Sequence, residues 1–425
     1  MTAPAFAPSR ADVVLLPRNW KAPIILGIVA LTTLLGFGLF GNSDEDVRFV
    51  LTSADAAIAL DPIVTNAKAL AIVLGVLSVG GAIFSAWRVY LRQRSPLWIS
   101  LVVGLFFLVG LVAWVGAGGN VPVVFLLTGA LSLSAAIVYG SLAGVIGERV
   151  GVVNIAIEGQ LLMGAFVSAV VASITGNFFL ALVAACAGGA LVSMVLASFS
   201  IKYLVDQIIV GVVLNVLVIG LTNFLFAAVL SDNSAALNFP GTLPFIAIPG
   251  LSEIPVIGPV LFNNRITTYL LFILVPLVWF MLFKTRWGLR VRALGEHPLA
   301  ADTVGISVNR TRFWTVTLAG CFAGLGGAAL TIGSVGAFVR EMSAGQGYIA
   351  LAAVILGRWN PWLAAGAALL FGFTRNFRIW AGQAGSAIPP DLIAMAPYLV
   401  TLIAVAVLVG RAVGPRAVGK PYVKE

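Results

Sequence analysis

The sequence predicts an all-α, polytopic membrane protein, and three observations carry that prediction. Of its 425 residues, 60% are hydrophobic and 10% are charged, with a mean hydropathy of +1.06, well outside the range of a soluble domain. The apolar runs are long and rich in Gly, Ala, Leu and Val, without the in-out alternation of a membrane barrel. The 25 Lys and Arg gather in short segments between those runs, as the positive-inside rule expects. No basic stripe with interleaved aromatics marks a nucleic-acid surface.

Candidate spans fall near 22–41, 67–87, 98–117, 121–145, 155–174, 177–199, 205–229, 268–284, 313–337, 344–357, 361–376 and 393–412. The first follows a polar stretch with Arg10, Arg18 and Lys21 and is long enough to cross, so it reads as an uncleaved helix rather than a signal peptide. The runs at 344–357 and 361–376 are short, and Pro361 lies in their connector, so a re-entrant or half-helix pair is an open alternative there. Residues 42–66 and 231–266 are the main loops on one side; the second contains NFPGTLPFIAIPG, with enough Pro and Gly for a shaped cap.

Parity and charge agree on an orientation. With the N-terminus inside, the segments Arg88 to Arg94, Glu148 with Arg149, Lys202, Lys284 to Arg312 and the tail from Arg411 are cytoplasmic, and nearly all carry Lys or Arg. The Asp-rich 42–66 and the stretch 231–266, whose one cation is Arg265, are external. The organisation expected is an N-terminal extension at 1–97 with two helices, a block from 98 to 413, and a cytoplasmic tail at 414–425.

Catalytic signatures are missing. G-x-x-x-x-G-K-[ST] and G-x-S-x-G do not occur, and one histidine, His297 in a basic loop, rules out H-E-x-x-H. Cys186 and Cys321 sit in apolar runs as small core residues. The sequon Asn309-Arg310-Thr311 falls on the cytoplasmic side. These absences remove a P-loop ATP site and a metalloprotease-type metal site from the expectations for this chain.

Polar residues inside the apolar runs are the remaining candidates. In GVVNIAIEGQLLMGAF, Asn154 and Glu158 are four apart and on a helix share a face, while Gln160 points elsewhere. A carboxylate at membrane depth faces a cavity or a partner. Two readings of Glu158 stand side by side: a wall of a solute path, or a pairing with Arg149 or a backbone amide in a broken-helix turn. Gly147, Gly151 and Gly159 favour a chain that bends there. Asp206 reads as a helix N-terminal residue favoured by the dipole; Asn215, near mid-span, is interhelical glue or a solute contact. In the cytoplasmic stretch 288–307, PLAADTVGI fits a short helix ended by Gly305, shaped to dock on a separate subunit.

RALGEHPLAADTVGI resembles the coupling-loop signature of ABC-importer permeases of the branched-chain amino acid and ribose type. GERVGVVNIAIEGQLLMGAF and GQGYIALAAVILGRWNP narrow the likeness to permeases for nucleosides and related simple sugars, over roughly residues 120 to 412. Asp206 departs from the Asn-Glu that such permeases tend to show. The resemblance implies a ten-helix permease core preceded by an extra N-terminal helical hairpin, in a bacterial cytoplasmic membrane with both termini inside. It also implies a second permease, homologous but different, two cytoplasmic ATPase subunits that hold ATP and Mg, and an external substrate-binding lipoprotein. Carried onto this chain, Asn154, Glu158, Gln160, Asn215 and Gln346 would line the solute path, and Arg292, Gly295, Glu296, Ala300, Ala301, Asp302 and Gly305 would couple to the ATPase. The cargo expected is a nucleoside, with a pentose or other simple sugar as the alternative. A stand-alone ion-coupled carrier would need further intramembrane acids or cations, and Glu158 is nearly the only one deep in the spans.

Overall fold

The computed structural model describes residues 20–41, 44–52, 58–383, 395 and 414–423. Within the described residues two compact units emerge: the first combines those up to 48 with 64–121, the second those of 49–63 with those from 122 onward. Among the described residues, nine helices are long and apolar enough to cross a bilayer.

The first unit holds three of them: α1 (Lys21–Leu31), which runs on as a wider-turn helix to Leu39, α2 (Ala67–Tyr90) and α3 (Leu97–Val115). Their shared core includes Leu26, Ala82, Ile99 and Val103, with the Phe37 ring stacked on Trp114 at 5.3 Å between centroids. Short extended segments β1 (Asp46–Val50), β2 (Ile63–Asn66) and β3 (Asn120–Pro122) lie at the loops between the helices. The sequence draws the boundary of this extension at residue 97, after two helices. By contacts α3 groups with α1 and α2, a grouping that hydropathy does not address, since it marks an apolar helix and not its packing partners.

The second unit contains α4 (Val123–Arg149), α5 (Ile157–Thr175), α6 (Phe178–Ala197, continuing to Lys202) and α7 (Gln207–Leu225, continuing to Leu230). Next come the small helices α8 (Ser234–Leu237) and α9 (Ile257–Leu261), around a hairpin of β4 (Ile246–Ala247) and β5 (Asn263–Asn264), so the 231–266 loop is a structured cap. Arg265 pins it by lying over the Phe245 ring at 4.7 Å, and burial draws its guanidinium pKa below the usual value. The unit continues with α10 (Ile266–Lys284), α11 (Arg286–Glu296), α12 (Pro298–Thr303), α13 (Val308–Leu330, continuing to Val335), α14 (Gln346–Leu356) and α15 (Pro361–Gln383). α13 is the most enclosed span, 78% buried. A Cβ on its Gly324 would lie 2.0 Å from the Ala185 carbonyl oxygen of α6, the close small-residue approach that holds helices together where lipid supplies no hydrophobic drive.

Of the uncertain pair, α14 is a half-helix and α15 is long. Eleven residues rise only about 16 Å. Contacts along α4 fix its depth: a Cβ on Gly140 would meet Ala350, one on Gly144 would meet Val354, and the Glu148 carboxylate accepts a hydrogen bond from Trp359 Nε1. α4 and α14 therefore run parallel and end together, and α14 begins beside the middle of the 27-residue α4, roughly 18 Å from its end. α15, with 23 residues, is longer than the expected 361–376; Arg375 and Arg378 in its last turns hide its length from a hydropathy reading. The expected span at 393–412, and with it the count of ten helices, lies outside the described residues.

Candidate functional site

The polar residues gather where α5 and α14 both begin inside the bundle. After α4 ends at Arg149, the chain turns at Gly151, whose φ is +93°, and re-enters as an extended stretch at 152–154 before α5 starts at Ile157. Asn154 is therefore not on the helix with Glu158, contrary to the expectation of a shared face. The side chain folds back on Gln160 in a reciprocal amide pair, Asn154 Nδ2 to Gln160 Oε1 at 3.0 Å and Gln160 Nε2 to Asn154 Oδ1 at 2.9 Å. Both residues are fully buried. A period-3.6 reading of 151–166 misplaces them because the helix starts three residues after Asn154.

Glu158 does what a buried acceptor needs. Its Oε1 accepts the Gly345 N–H at 2.8 Å and its Oε2 the Gly347 N–H at 2.6 Å. The carboxylate thus satisfies amide donors at the start of α14, where the helix dipole favours negative charge. Gly347 is a glycine for the same reason: a Cβ there would fall 2.4 Å from Glu158 N. The backbone-amide pairing expected from the sequence is present, and it is compatible with a place in the wall of a solute path. Arg149 is not the partner; its Nε and Nη2 donate to the Trp359 carbonyl at 3.1 and 3.0 Å.

Asn215 ties α7 to the same point. Its Oδ1 accepts the Gly159 N–H at 2.8 Å, and its Nδ2 donates to the Ile155 carbonyl at 2.9 Å and to the Tyr348 hydroxyl at 3.1 Å. Asp206 caps α7 through the Ile208 and Ile209 amides, the structural role its position suggests. The neighbouring Gln207 accepts the Val153 N–H at 2.8 Å; it escapes a sequence reading because a polar residue beside a cap looks solvated. Gln346 is buried, and its Oε1 finds no hydrogen-bond partner among the described residues. All five path candidates therefore meet around the mouths of α5 and α14. A separate cavity of about 590 Å³, lined by Phe125, Thr128, Phe245 and Arg265 among others, includes none of them.

At the other polar locus, α11 and α12 form a bent pair. His297 is the hinge residue: its Nδ1 accepts the Ala300 N–H at 3.2 Å and caps α12. α12 ends before Gly305, whose φ is +84°, as PLAADTVGI suggests. Glu296, Ala300 and Gly305 are exposed, Arg292 and Asp302 half-buried, and Gly295 and Ala301 buried. The Arg292 guanidinium lies over the Phe283 ring at 5.2 Å. Gly295 is wedged against the end of α4, where a Cβ would lie 2.2 Å from the Arg149 carbonyl oxygen. The tail closes this joint. Ala417 N donates to Gly295 O at 2.8 Å, Gly419 N to Gly151 O at 3.3 Å, and the buried Arg312 donates to Val150 O and Lys420 O, each at 3.2 Å. Arg312 and Trp359 carry much of this face, and nothing in their local sequence distinguishes them from ordinary span-end residues. Among the described residues, no group of three or more His, Cys, Asp or Glu is placed to hold a metal ion.

Comparison with known proteins fits this arrangement to a family. A profile described as branched-chain amino acid transport system, permease component, matches residues 126–410, beginning in the first turn of α4. A guanosine ABC transporter permease of Bacillus subtilis, NupQ, is 39% identical over 307 residues, 69% of this chain and 95% of its own length. A nucleoside ABC transporter permease of Lactococcus lactis, NupC, is 37% identical over 303 residues, again 69% and 95%. A second guanosine ABC transporter permease of Bacillus subtilis, NupP, is 26% identical over 215 residues, 49% of this chain and 61% of its own. No solved structure matches. The long apolar helices and a match that runs through both polar loci lead to one conclusion: the chain is a multi-pass membrane protein of the branched-chain amino acid transport system permease family.

Proposed function

We propose that this chain is one of two different permease subunits of an ATP-driven importer, and that it passes nucleosides from an external binding protein into the cytoplasm. The observation that carries the reading is the alignment with guanosine and nucleoside permeases over 95% of their length. The pair NupQ and NupP in one organism supports a second, different permease. In this reading the cluster of Asn154, Glu158, Gln160, Asn215 and Gln346 holds the wall of the solute path, and its hydrogen bonds keep the re-entrant strand and the half-helix in register.

ATP and Mg are bound on separate cytoplasmic ATPase subunits, which dock on α12. The exposed side chains there support such docking: Leu299 is 47% and Val304 74% exposed, and Glu296, Ala300 and Gly305 stand beside them. Apolar groups rimmed by polar ones at an exposed turn are the usual make-up of a contact surface. Gly295, being buried, conveys motion to α4 and the tail instead of touching the ATPase.

The test is competition. In cells carrying the complete transporter, uptake of labelled guanosine should fall with excess unlabelled nucleosides and persist with excess ribose or xylose. Equal competition by the sugars would replace this reading with that of a simple-sugar permease.

Orientation has its own test. Both termini are cytoplasmic in this reading, with 231–266 outside and 284–312 inside, as the charge pattern favours. Single cysteines at the exposed Ser234 and Ser307, in a background lacking Cys186 and Cys321, should react with an impermeant thiol reagent from opposite sides. Reaction of both from one side would overturn the topology.

A further inference from the structure

Tyr348 has no role in the bracing just described that a smaller polar residue could not fill, yet it puts an aromatic ring in hydrogen-bond contact with Asn215 of the cluster. It sits in the first turn of α14 and therefore near the middle of α4 in depth. The residue is 48% exposed. A tyrosine facing hydrocarbon at that depth is out of place, because its amphipathic ring belongs at the membrane-water interface. Beside a polar solute path the same ring has a use.

Its geometry is fixed in advance. The hydroxyl accepts from Asn215 Nδ2 at 3.1 Å, and Asn215 is itself held by Gly159 and Ile155. As the oxygen is the acceptor in that bond, the phenolic O–H is left to donate to a solute. The approach to Tyr348 is an unusual backbone: Glu341, Ala344 and Gly345 have φ of +54°, +45° and +79°, and strain of this kind in non-glycine residues collects at working sites. Two residues before Tyr348, at the first position of α14, the buried Gln346 Oε1 lacks a hydrogen-bond partner among the described residues, an acceptor open to a donor from a solute.

We propose that the Tyr348 ring is the platform on which the base of the solute stacks as it passes the mouth of α14, so that this residue selects base-bearing ribosides over bare sugars. The inference rests on the nucleoside reading above. A base presents an apolar, polarisable face to such a ring and needs no particular hydrogen-bond code, so purines and pyrimidines are both accommodated.

The test uses the complete transporter in cells, labelled guanosine as the probe, and methyl riboside, which has the sugar and no base, as competitor. Tyr348→Leu should raise the half-saturating guanosine concentration about tenfold at unchanged amount of protein in the membrane, since base-aromatic stacking has about that weight. Tyr348→Phe and Tyr348→Trp, which keep a ring, should stay within about threefold of wild type. Competition by methyl riboside should be the same in all four proteins. Wild-type half-saturation in Tyr348→Leu, or an equal rise in Leu and Phe variants, would overturn the platform while leaving the nucleoside reading intact. Absence of guanosine uptake by the wild-type transporter would overturn the reading itself.

Discussion

Glu158→Gln is expected to lower thermal stability and uptake together. The carboxylate oxygens accept two backbone amides, Gly345 and Gly347, and they are the means by which the start of a half-helix is satisfied inside the bundle. Gln presents one oxygen and one NH₂ group. Whichever way the amide turns, one N–H of α14 faces another donor, at a cost of about 1–3 kcal/mol for an unsatisfied buried group. The loss of the negative charge at the helix start adds to this. In water a surface loop would recover by hydration; at this depth there is little water to do so. Thermal unfolding in detergent should therefore shift downward, and uptake should fall because α14 no longer holds its place. Lost uptake at unchanged stability would mean that the carboxylate acts on the solute, and not on α14. Asn154→Leu provides the comparison: it strands Gln160 in the same way but leaves α14 capped, so its stability loss should be matched by a smaller effect on uptake.

Gly295→Val should separate ATP hydrolysis from transport. The added carbons would enter space occupied by the Arg149 carbonyl, 2.2 Å from the position of a Cβ, with Pro415 Cβ 3.3 Å away. Neither is the free end of a flexible side chain, so α11 must move off α4, at a cost of the order of 1–3 kcal/mol for an overfilled contact. The exposed face of α12 is untouched, so if an ATPase docks there as proposed above, the variant should still bind it and reach the membrane. Uptake should drop by at least about tenfold while ATP hydrolysis persists. Glu296→Arg should behave differently, because Glu296 is exposed and its reversal acts mainly on the charge of the proposed docking face, with a smaller effect on the neighbouring Arg149. That variant should lose the ATPase subunit in co-purification. Normal uptake by Gly295→Val, or the same docking defect in both variants, would refute the division between a docking face and a buried joint.

Much of this architecture is legible from the sequence, and the parts that are not have a common cause. Span positions follow from hydropathy, since any run of about twenty apolar residues must be helical in lipid. The α12 turn follows from Pro298 and Gly305, and the α7 cap from Asp206. The polar residues at 154–160 announce themselves by standing in an apolar run. Their pairing does not: Asn154 with Gln160 depends on where α5 begins, and Glu158 with Gly345 and Gly347 joins positions almost 190 residues apart. A helical period puts Asn154 on the Glu158 face only if it runs through 152–154, and that stretch is extended chain. Tyr348, Gln207 and Arg312 are invisible for a related reason. Each is ordinary in its own segment and takes its meaning from a partner elsewhere.

The clasp formed by residues 414–423 also bears on the order in which the protein is made. These residues leave the ribosome after every helix of the second unit, yet they complete contacts to Gly295, Gly151 and Arg312, which are made much earlier. Until residue 420 has been synthesised, the Gly295 carbonyl and one end of the Arg312 guanidinium have no partner from the tail. This face is thus finished only when elongation has reached residue 420, so under the reading proposed above a truncated chain would offer an ATPase an incomplete seat. Folding is in this way ordered in time: the helices of the joint are made first, and the contact that closes α11 against the end of α4 comes last.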